Sequence, residues 1–563
     1  MGGKDRGQMT AETIFNKNFL KGGPGASRGQ FFQKALLLAA GGKEEKKMRR
    51  FFGFVICWFC LVSIVVYGQE VSKRQLLNQV RSYRQANEHA IVKEFFELLS
   101  IPNVSHDQEN IRKNAIFIKK MMEKRGIGVQ VLETPGNPVI YGELKAKDAV
   151  EAKTLLFYIH YDGQPVDPSK WIDSEPFRPV LRPGKMEAET TVPKPIPLPS
   201  PSEHFNENWR IYARSASDDK APIISVLSAL DAIKHAGIPL KHHLKFILDG
   251  EEEAGSPNIR YFLEKYKHLL VGDVLFMCDG PGYFSGDPTL FYGARGITSV
   301  SITIYGPNVS LHSGHYGNWA PNPAMRLVQL LATMKDEKGK VTIKGFYDTV
   351  VPLSELEKTA LKTIPPYDND LKKLYGFSLP ESGEVGLMES ILFPSLNING
   401  LESGWVGKQA RTIVPATAEA SIDIRLTKGN DPVDMVQKVI DHIKLQGYHV
   451  VTAEPDRETR MKYPFIAKVV QEEKGYRAAR TSMDLPISKR VIEALTGYSP
   501  RKPVLIPSLG GSLPIYIFED VLGIPFIGLP VVNYDNNQHQ PNENLRIGHL
   551  WQAIETFAAV IMM

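Results

Sequence analysis

The stretch Leu248-Asp-Gly-Glu-Glu-Glu-Ala-Gly-Ser256 joins an apolar run directly to four carboxylates. The apolar residues 243–248 before it are typical of a short buried strand. Four like charges this close repel one another strongly unless a positive group lies among them. The pattern therefore has two interpretations. It is either a solvated acidic turn or helix N-terminus, which acidic side chains suit, or a multivalent metal site with a spare carboxylate as general base.

Other strand-like runs also finish on side chains of the kind that bind metals. They end at or lead to His160, Asp279 and His539. A histidine at a strand end has a purely structural interpretation, but residues two apart on a strand face the same side, so Asp162 can lie beside His160 and fix its tautomer. In an open α/β sheet the carboxyl ends of the strands line the ligand crevice. The recurrence predicts a metal site at that edge.

A further pair of carboxylates, Asp218-Asp219, precedes Lys220 and a helical repeat of apolar residues. Pro222 suits a first helical turn, and the repeat ends at Gly237. The simple interpretation is N-terminal capping, for which one aspartate suffices. Two adjacent aspartates exceed that need, so this pair joins the candidate site.

Length and charge limit the class of protein. A chain of 563 residues exceeds what one core usually holds, so we predict two domains plus extra segments. The formal charge of +5 is small for this length and does not suggest a nucleic-acid binder. A proline-rich stretch over 180–205 is typical of a surface loop or insertion.

Between about residues 296 and 482 the pattern changes. Residues 297–305 and 418–426 alternate between apolar and polar, as half-exposed antiparallel strands do, and helical stretches lie near 323–334 and 432–445. This favours a small α+β insertion that covers the crevice or pairs with a second subunit. The predicted division is 1–47, a non-structural extension; 48–68, a leader; 79–295 and 483–563, the two parts of a catalytic domain; and 296–482, the inserted lid or dimerisation domain.

The leader is predicted from basic residues that precede the apolar run 51–67. This pattern is typical of a secretory signal, with an uncleaved membrane anchor as the alternative, and Met48 is a candidate start. The sequence thus predicts an exported protein, periplasmic or secreted. Of three cysteines, Cys57 and Cys60 lie within the leader, so a cleaved chain keeps only Cys278 and has no intrachain disulfide.

The candidate ligands are histidines and carboxylates without thiolates. Such a set suits zinc, manganese or cobalt and disfavours a structural zinc finger. A carboxylate that bridges two cations leaves open positions for a shared water, which the metals acidify and a carboxylate outside the ligand set deprotonates. The chemistry that follows is hydrolysis.

Seven motifs stand in one order along the chain: His160-Tyr-Asp162, Asp218-Asp-Lys220, Glu251-Glu-Glu253 before Ala-Gly-Ser256, Asp279, His312-Ser-Gly314, Gly510-Gly-Ser512 and His539. From about residue 85 onward the chain thereby resembles the M20 metallopeptidases, which include carnosinase-like dipeptidases, aminoacylases and succinyl-diaminopimelate desuccinylase. The resemblance implies an α/β fold. Its catalytic domain has a mixed, largely parallel sheet flanked by helices and carries an inserted α+β (ferredoxin-like) lid or dimerisation domain.

The resemblance also implies roles for individual residues. His160 and Asp279 resemble the ligands of one metal and Glu253 and His539 those of the other. Asp218 resembles the bridging carboxylate, which a cis peptide bond follows. Glu252 resembles the general base and Asp162 the partner of His160.

Further roles concern the substrate. His312 resembles the histidine that reaches the neighbouring subunit's site and stabilises the oxyanion. Arg411 resembles the arginine that holds the substrate carboxylate, and the turn Gly510, Gly511 and Ser512 offers backbone donors to the same group. Three positions depart from the family pattern: Ala213-Arg-Ser215 in place of a glycine-rich lead, Ala221 after the lysine, and Asp249 in place of glutamate.

The leading hypothesis is an exported zinc exopeptidase that has two ions per site and cleaves small peptides. We predict a dipeptidase that acts as a homodimer through the inserted domain. An N-acyl amino acid amidohydrolase would use the same metals and water. A third hypothesis is a non-catalytic binding ectodomain on a peptidase scaffold. It would be expected to lose ligands or the base, and all of these are present in the sequence.

Overall fold

A computed structural model describes residues 74–147, 151–186, 192–499, 501–513 and 515–563. The predicted extension 1–47 and leader 48–68 lie outside these residues. Lys73–Met563 form one compact unit.

The first sheet of this unit has eight strands. Its central strands are parallel, whereas antiparallel pairs occur toward both edges, so the sheet is mixed. In spatial order the strands are Gly128–Leu132, Val139–Leu144, His243–Asp249, Thr154–His160, Val274–Met277, Phe526–Gly528, Thr289–Phe291 and Val504–Ile506.

Both faces of this sheet are covered, which explains why its central strands are continuous apolar runs. On strand Thr154–His160, Phe157 packs into the core on one face, while Tyr158 packs into the core on the other. The Phe157 ring lies 5.6 Å from Phe246 and 5.2 Å from Phe276. Burial of each phenylalanine contributes about 1.5–3 kcal/mol, so these rings hold the three central strands in register.

Most of the second sheet lies within the predicted insertion, although one strand begins at Gly293 and another, Leu509–Ser512, belongs to the predicted second part of the catalytic domain. This sheet is mainly antiparallel, and in spatial order its strands are Ser395–Glu402, Thr417–Leu426, Gly293–Tyr305, Ile466–Tyr476 and His449–Val451, with Ala479–Arg480 and Leu509–Ser512 also paired to the central strand. On that central strand Val300, Ile302 and Ile304 are fully buried in a separate core, whereas Ile297, Ser299 and Ser301 on the alternate positions are partly exposed. The predicted period of two is thus confirmed.

Two smaller sheets complete the strands: Leu311–His312 with Ile413–Val414, and Asn544–Arg546 with Arg210–Tyr212 and Val180–Arg182. The described helices are 74–99, Gln108–Glu123, Lys220–His235, Ile259–Lys265, Ser313–Tyr316, Pro323–Ala332, Glu355–Thr363, Asp368–Tyr375, Leu387–Ser390, Pro432–Leu445, Arg457–Lys462, Pro486–Tyr498, Tyr516–Leu522 and Ile547–Ile561. Short 3-10 turns lie at Pro168–Lys170, Glu252–Ala254, Lys267–Leu269 and Gly407–Gln409.

The predicted α/β fold with an α+β insertion is confirmed. The interpretation of 180–205 as surface loop is wrong at its start, because Val180–Arg182 is a strand. Leu181 is buried in the main core, and the guanidinium of Arg182, fully buried, donates to the carbonyls of Pro193 and Ile172. The proline-rich composition did not indicate this strand, because its packing depends on only one leucine and one arginine.

Candidate metal centre

The candidate ligands converge at the carboxyl ends of the central strands. His160 is the last residue of one strand, and Asp279 follows the neighbouring strand by two residues. Glu252 and Glu253 occupy the 3-10 turn after strand His243–Asp249, a turn that Gly255 ends in the left-handed region with φ 84°. Glycine is favoured there because it has no Cβ to clash. The strand ends thus bring residues distant in sequence into one cluster.

One group of potential ligands consists of His160, Glu252 and Asp279, with one donor atom from each within 4.8 Å of the others. The Nε2 atom of His160 lies 4.0 Å from a carboxylate oxygen of Glu252 and 4.0 Å from one of Asp279. His160 is fully buried, and 19% of the Glu252 side chain is exposed. Glu252 therefore borders the cluster and also faces the solvent.

The second group consists of Asp218, Glu253 and His539. The Nε2 atom of His539 lies 3.0 Å from Oδ2 of Asp218 and 3.3 Å from Oε2 of Glu253. The other carboxylate oxygen of Asp218, Oδ1, lies 2.9 Å from Nε2 of His160. Asp218 thus directs one oxygen toward each group, as a bridging carboxylate requires. The peptide bond from Asp218 to Asp219 is cis, as the resemblance implies.

Capping does not explain the aspartate pair. Helix Lys220–His235 starts after Asp219, yet the Asp219 side chain makes no capping hydrogen bond. Its carboxylate instead accepts the backbone N–H of His160, at 3.2 Å. The helix N-terminus therefore presents these carboxylates to the cluster.

Asp162 links the histidine to the acidic turn. Its carboxylate lies 3.3 Å from Nδ1 of His160, which leaves Nε2 directed at the cluster. The same carboxylate accepts the backbone N–H groups of Glu252 and Glu253 at 3.1 and 3.0 Å. A partner at the second ring nitrogen fixes the orientation of a metal-binding histidine.

The cluster carries an excess of negative charge. Burial and the charge of Asp218 raise the pKa of Asp279 to about 6 and that of Glu253 to about 7. Burial opposes protonation of His160, but the hydrogen bonds that its ring donates to Asp162 and Asp218 raise its pKa well above the usual value. Each of these pKa shifts results from carboxylates that lie close together in a poorly solvated site.

The cations nearest in sequence do not neutralise this charge. Lys220 is fully buried, and its ammonium donates to the carbonyls of Leu98 and Ile101, while Arg214 pairs with Glu543. Two histidines and several carboxylates, with oxygen and nitrogen donors in two adjoining groups, fit two divalent cations. The donor set therefore fits a two-metal centre.

The inserted region holds two more predicted residues. His312 is exposed, and its Nδ1 accepts the N–H of Gly314 at 3.1 Å. Strand Leu311–His312 pairs with Ile413–Val414, which brings Arg411 close to His312. Arg411 is exposed as well, with its guanidinium stacked 4.5 Å from the ring centre of Trp405. These two residues share one surface, and their roles stay predictions.

The predicted substrate turn leads to a residue that sequence reasoning missed. The predicted turn is wrong, because Gly510 to Ser512 belong to strand Leu509–Ser512, which pairs with the long central strand of the second sheet. The Ser512 hydroxyl accepts a 2.8 Å hydrogen bond from Nη1 of Arg425. Arg425 also lies 3.3 Å from Asp423. The only signal for Arg425 in the sequence was its positive charge on an alternating strand. A charged residue in such a strand commonly lies on the solvent-exposed face.

A second missed residue, Glu543, lies four positions beyond His539. It is fully buried and binds the backbone that precedes Asp218. A glutamate in a polar stretch rich in asparagine is typical of a loop, so the sequence alone did not single it out.

A mixed α/β sheet that gathers two adjoining sets of histidine and carboxylate donors at its strand ends defines the class of two-metal hydrolases. Residues 190–563, well over half of the chain, match the model of peptidase family M20/M25/M40. The chain belongs to this family, and it is a metal-dependent peptide hydrolase. The predicted family and enzyme class are confirmed, and the non-catalytic ectodomain hypothesis is not supported.

Known relatives span most of the chain. The Cys-Gly metallodipeptidase DUG1 of Saccharomyces cerevisiae is 27% identical, over 82% of this chain and 93% of that protein. The Beta-Ala-His dipeptidase of Homo sapiens is 26% identical, over 76% of this chain and 78% of that protein. The solved structure of an M20 family metallo-carboxypeptidase from Sulfolobus solfataricus is 29% identical with a TM-score of 0.61, and the match covers 84% of this chain and 98% of that one.

The predicted localisation, export with membrane anchoring as the alternative, is corrected. The similarity to the yeast and human dipeptidases contradicts it. The apolar run 51–67 that suggested it lies outside the described residues. Among the residues that the structure describes, no helix has the length and apolar character to cross a membrane. A basic flank and an apolar run are features of composition, and they did not suffice to predict the localisation of the protein.

Proposed function

We propose that this protein is a di-metal dipeptidase of the exopeptidase type. The observation that carries the proposal is the position of Asp218, whose two carboxylate oxygens lie within 3.0 Å of two different histidines. Two of the relatives are named for dipeptide substrates, Cys-Gly and Beta-Ala-His, which supports a small peptide as substrate.

We assign the ligands as the resemblance implies. His160 and Asp279 would hold one ion, Glu253 and His539 would hold the other, and Asp218 would be shared between them. Zinc suits these nitrogen and oxygen donors, with manganese and cobalt as alternatives. When bound, two such ions would polarise the scissile carbonyl of the substrate and would make a water acidic enough to lose its proton near neutral pH.

Glu252 is the proposed general base. Burial and the charges of Asp279 and Glu253 raise its pKa well above the usual value for glutamate, against the effect of His160. A carboxylate with a raised pKa accepts a proton from the attacking water and returns it to the leaving amine. Asp162 supports this step because it holds the backbone N–H of Glu252 and orients His160 at the same time.

The inserted domain, which we place at residues 296–482, is proposed to act as lid and dimerisation domain. Its sheet has its own core, separate from those of the catalytic sheet. His312 is exposed on this domain, and neighbouring Trp319 is 79% exposed. A histidine displayed in this way suits contact with the site of a second subunit, where it would donate a hydrogen bond to the developing oxyanion.

The substrate carboxylate is proposed to bind at Gly510, Gly511 and Ser512, the end of strand Leu509–Ser512, together with Arg425. Arg425 donates a hydrogen bond to Ser512 on this strand, whereas the contact of Arg411 is with Trp405. If His312 serves the neighbouring subunit, Arg411 would accompany it, because Arg411 lies two residues before Ile413, the strand partner of His312. Arg425 is then the guanidinium that the same chain supplies.

Arg425→Ala is expected to raise KM for a dipeptide about tenfold to a hundredfold, because a hydrogen bond to a charged group contributes roughly 1.5–3 kcal/mol. Steady-state kinetics with a dipeptide and with its C-terminal amide measure the effect, and the amide should be insensitive to the substitution. Arg411→Ala is the matched variant. A larger rise in KM for Arg411→Ala than for Arg425→Ala would assign the carboxylate to Arg411.

Metal removal and substrate choice test the proposed function together. The full chain is expected to bind about two divalent ions and to hydrolyse dipeptides, and a chelator should abolish turnover until zinc, manganese or cobalt is restored. Elemental analysis and a panel of dipeptides with matched N-acetyl amino acids measure this. Faster cleavage of the N-acetyl compounds would instead make the protein an amidohydrolase, and a chain without metal or turnover after reconstitution would refute the proposal.

A further inference from the structure

Glu543 is a buried carboxylate to which the proposed mechanism gives no role. Its side chain has no exposed surface. A charged group in such a place is costly unless its surroundings satisfy both oxygens. The contacts that satisfy it therefore indicate why a glutamate stands there.

All four recorded partners of the Glu543 carboxylate lie in the segment that leads into Asp218. Oε1 accepts the backbone N–H groups of Ser217 and Asp218, each at 2.9 Å. Oε2 accepts the backbone N–H of Ser215 and Nη1 of Arg214, again each at 2.9 Å. One side chain thus accepts hydrogen bonds from three backbone N–H groups and a buried guanidinium.

This segment needs such a support because it does not follow regular secondary structure. Ser215 has φ 62°, in the left-handed region that residues with a Cβ rarely adopt. Its hydroxyl accepts a hydrogen bond from the side chain of Asn103 at 2.9 Å, and its N–H is held by Glu543. Together these contacts keep the segment in one conformation that its own backbone does not favour.

The same contacts join the segment to the loop that carries His539. The backbone carbonyl of Glu543 accepts the N–H of Ala213, and the Ser217 hydroxyl donates to the carbonyl of Asn544. Strand Asn544–Arg546 then pairs with Arg210–Tyr212. The two loops that supply Asp218 and His539 are therefore joined by hydrogen bonds at and next to Glu543.

We propose that Glu543 is a positioning residue that sets the bridging carboxylate of Asp218 between the two metal-binding groups. Because it holds the Asp218 N–H on one side and precedes strand Asn544–Arg546 on the other, it fixes the distance between Asp218 and His539. The inference rests on the proposed metal assignment. It adds that the affinity for the pair of ions depends on a residue that contacts neither ion.

Glu543→Gln tests this with little change of volume. The amide keeps one acceptor but turns an NH2 group toward backbone N–H donors or toward Arg214, so the segment must shift. We expect the affinity for at least one of two cobalt ions to fall about tenfold to a hundredfold, the range for residues that orient ligands. Calorimetric titration of the metal-free full chain measures the affinity, and the visible spectrum of bound cobalt reports the geometry.

Glu555→Gln is the matched control, because Glu555 forms a partly buried ion pair with Arg81 and, unlike Glu543, makes no recorded contact with the segment before Asp218. This control should bind both cobalt ions as the wild type does, even if its thermal stability falls. A folded Glu543→Gln variant with wild-type affinities and spectrum would overturn the inference alone. A wild-type chain that binds no cobalt would overturn the proposed function as well.

A double variant covers the case in which Glu543→Gln does not fold. Arg214→Met combined with Glu543→Gln removes both buried charges, and such neutral replacements are commonly tolerated. The double variant should fold and still bind cobalt more weakly than the wild type, because the acceptor for the Ser215 or Asp218 N–H is lost. Wild-type affinity in the double variant would show that Glu543 only balances the charge of Arg214.

Discussion

Glu252→Ala is expected to lower kcat for dipeptide hydrolysis by about a hundredfold or more while the chain still binds two metal ions. The carboxylate borders the metal-binding cluster and remains partly open to solvent, with its nearest oxygen 4.0 Å from Nε2 of His160. Removal of a base in this position takes away proton transfer to and from the substrate. The ligands that we assign are left in place.

Two measurements, elemental analysis and kcat, distinguish the possible roles of Glu252 in the Glu252→Ala variant. Elemental analysis separates the loss of a base from the loss of a ligand, since Glu252 also lies within reach of the ion that His160 and Asp279 would hold. Loss of one ion would move Glu252 into the ligand set, and near wild-type kcat would refute its role as base. Glu264→Ala, an exposed glutamate on helix Ile259–Lys265, should change neither quantity.

The features that sequence reasoning predicted well are those that local patterns determine. Apolar runs that end in His160 or Asp279 identify buried strands, and parallel strands bring their carboxyl ends to one edge whatever lies between them in sequence. The alternation in 297–305 likewise reports one covered face. The burial of Phe157 follows directly from the continuous apolar run, and that of Ile302 follows from the alternation.

The parts that sequence reasoning missed depend on contacts between distant segments. Arg425 and Ser512 are 87 residues apart in the sequence, and nothing in the pattern of the Arg425 strand indicates that pairing. Glu543 lies in a polar loop, where a glutamate is ordinarily solvated, yet tertiary structure encloses it completely. Burial of a charge is a property of the assembled fold, so composition and periodicity do not report it.

The aspartate pair shows where a local pattern leaves two answers open. Asp218-Asp219 before a helix is compatible with capping, and only the structure shows that both side chains point away from the helix N-terminus. Asp219 contacts the backbone of His160, and Asp218 contacts both histidine rings. The choice between a cap and a ligand was thus decided by residues far away in sequence.

Asp218→Ala should therefore have the largest effect on metal binding of any substitution at this site. A bridging carboxylate serves both ions, so its loss weakens both sets of ligands and leaves His160 and His539 without their shared partner. Removal of one member of a buried charge set costs about 3–5 kcal/mol, which corresponds to roughly a hundredfold to several thousandfold in affinity. We expect at most one bound ion by elemental analysis and no measurable dipeptide hydrolysis.

Asp231→Ala is a suitable comparison, because Asp231 lies on the same helix, Lys220–His235, and binds Arg125 rather than the cluster. It should keep two ions and wild-type turnover. Two tightly bound ions in Asp218→Ala would show that each group of ligands is sufficient by itself, and the bridging role would be refuted. Loss of both ions would instead mean that neither group binds an ion without Asp218, so that the two sites form one cooperative centre.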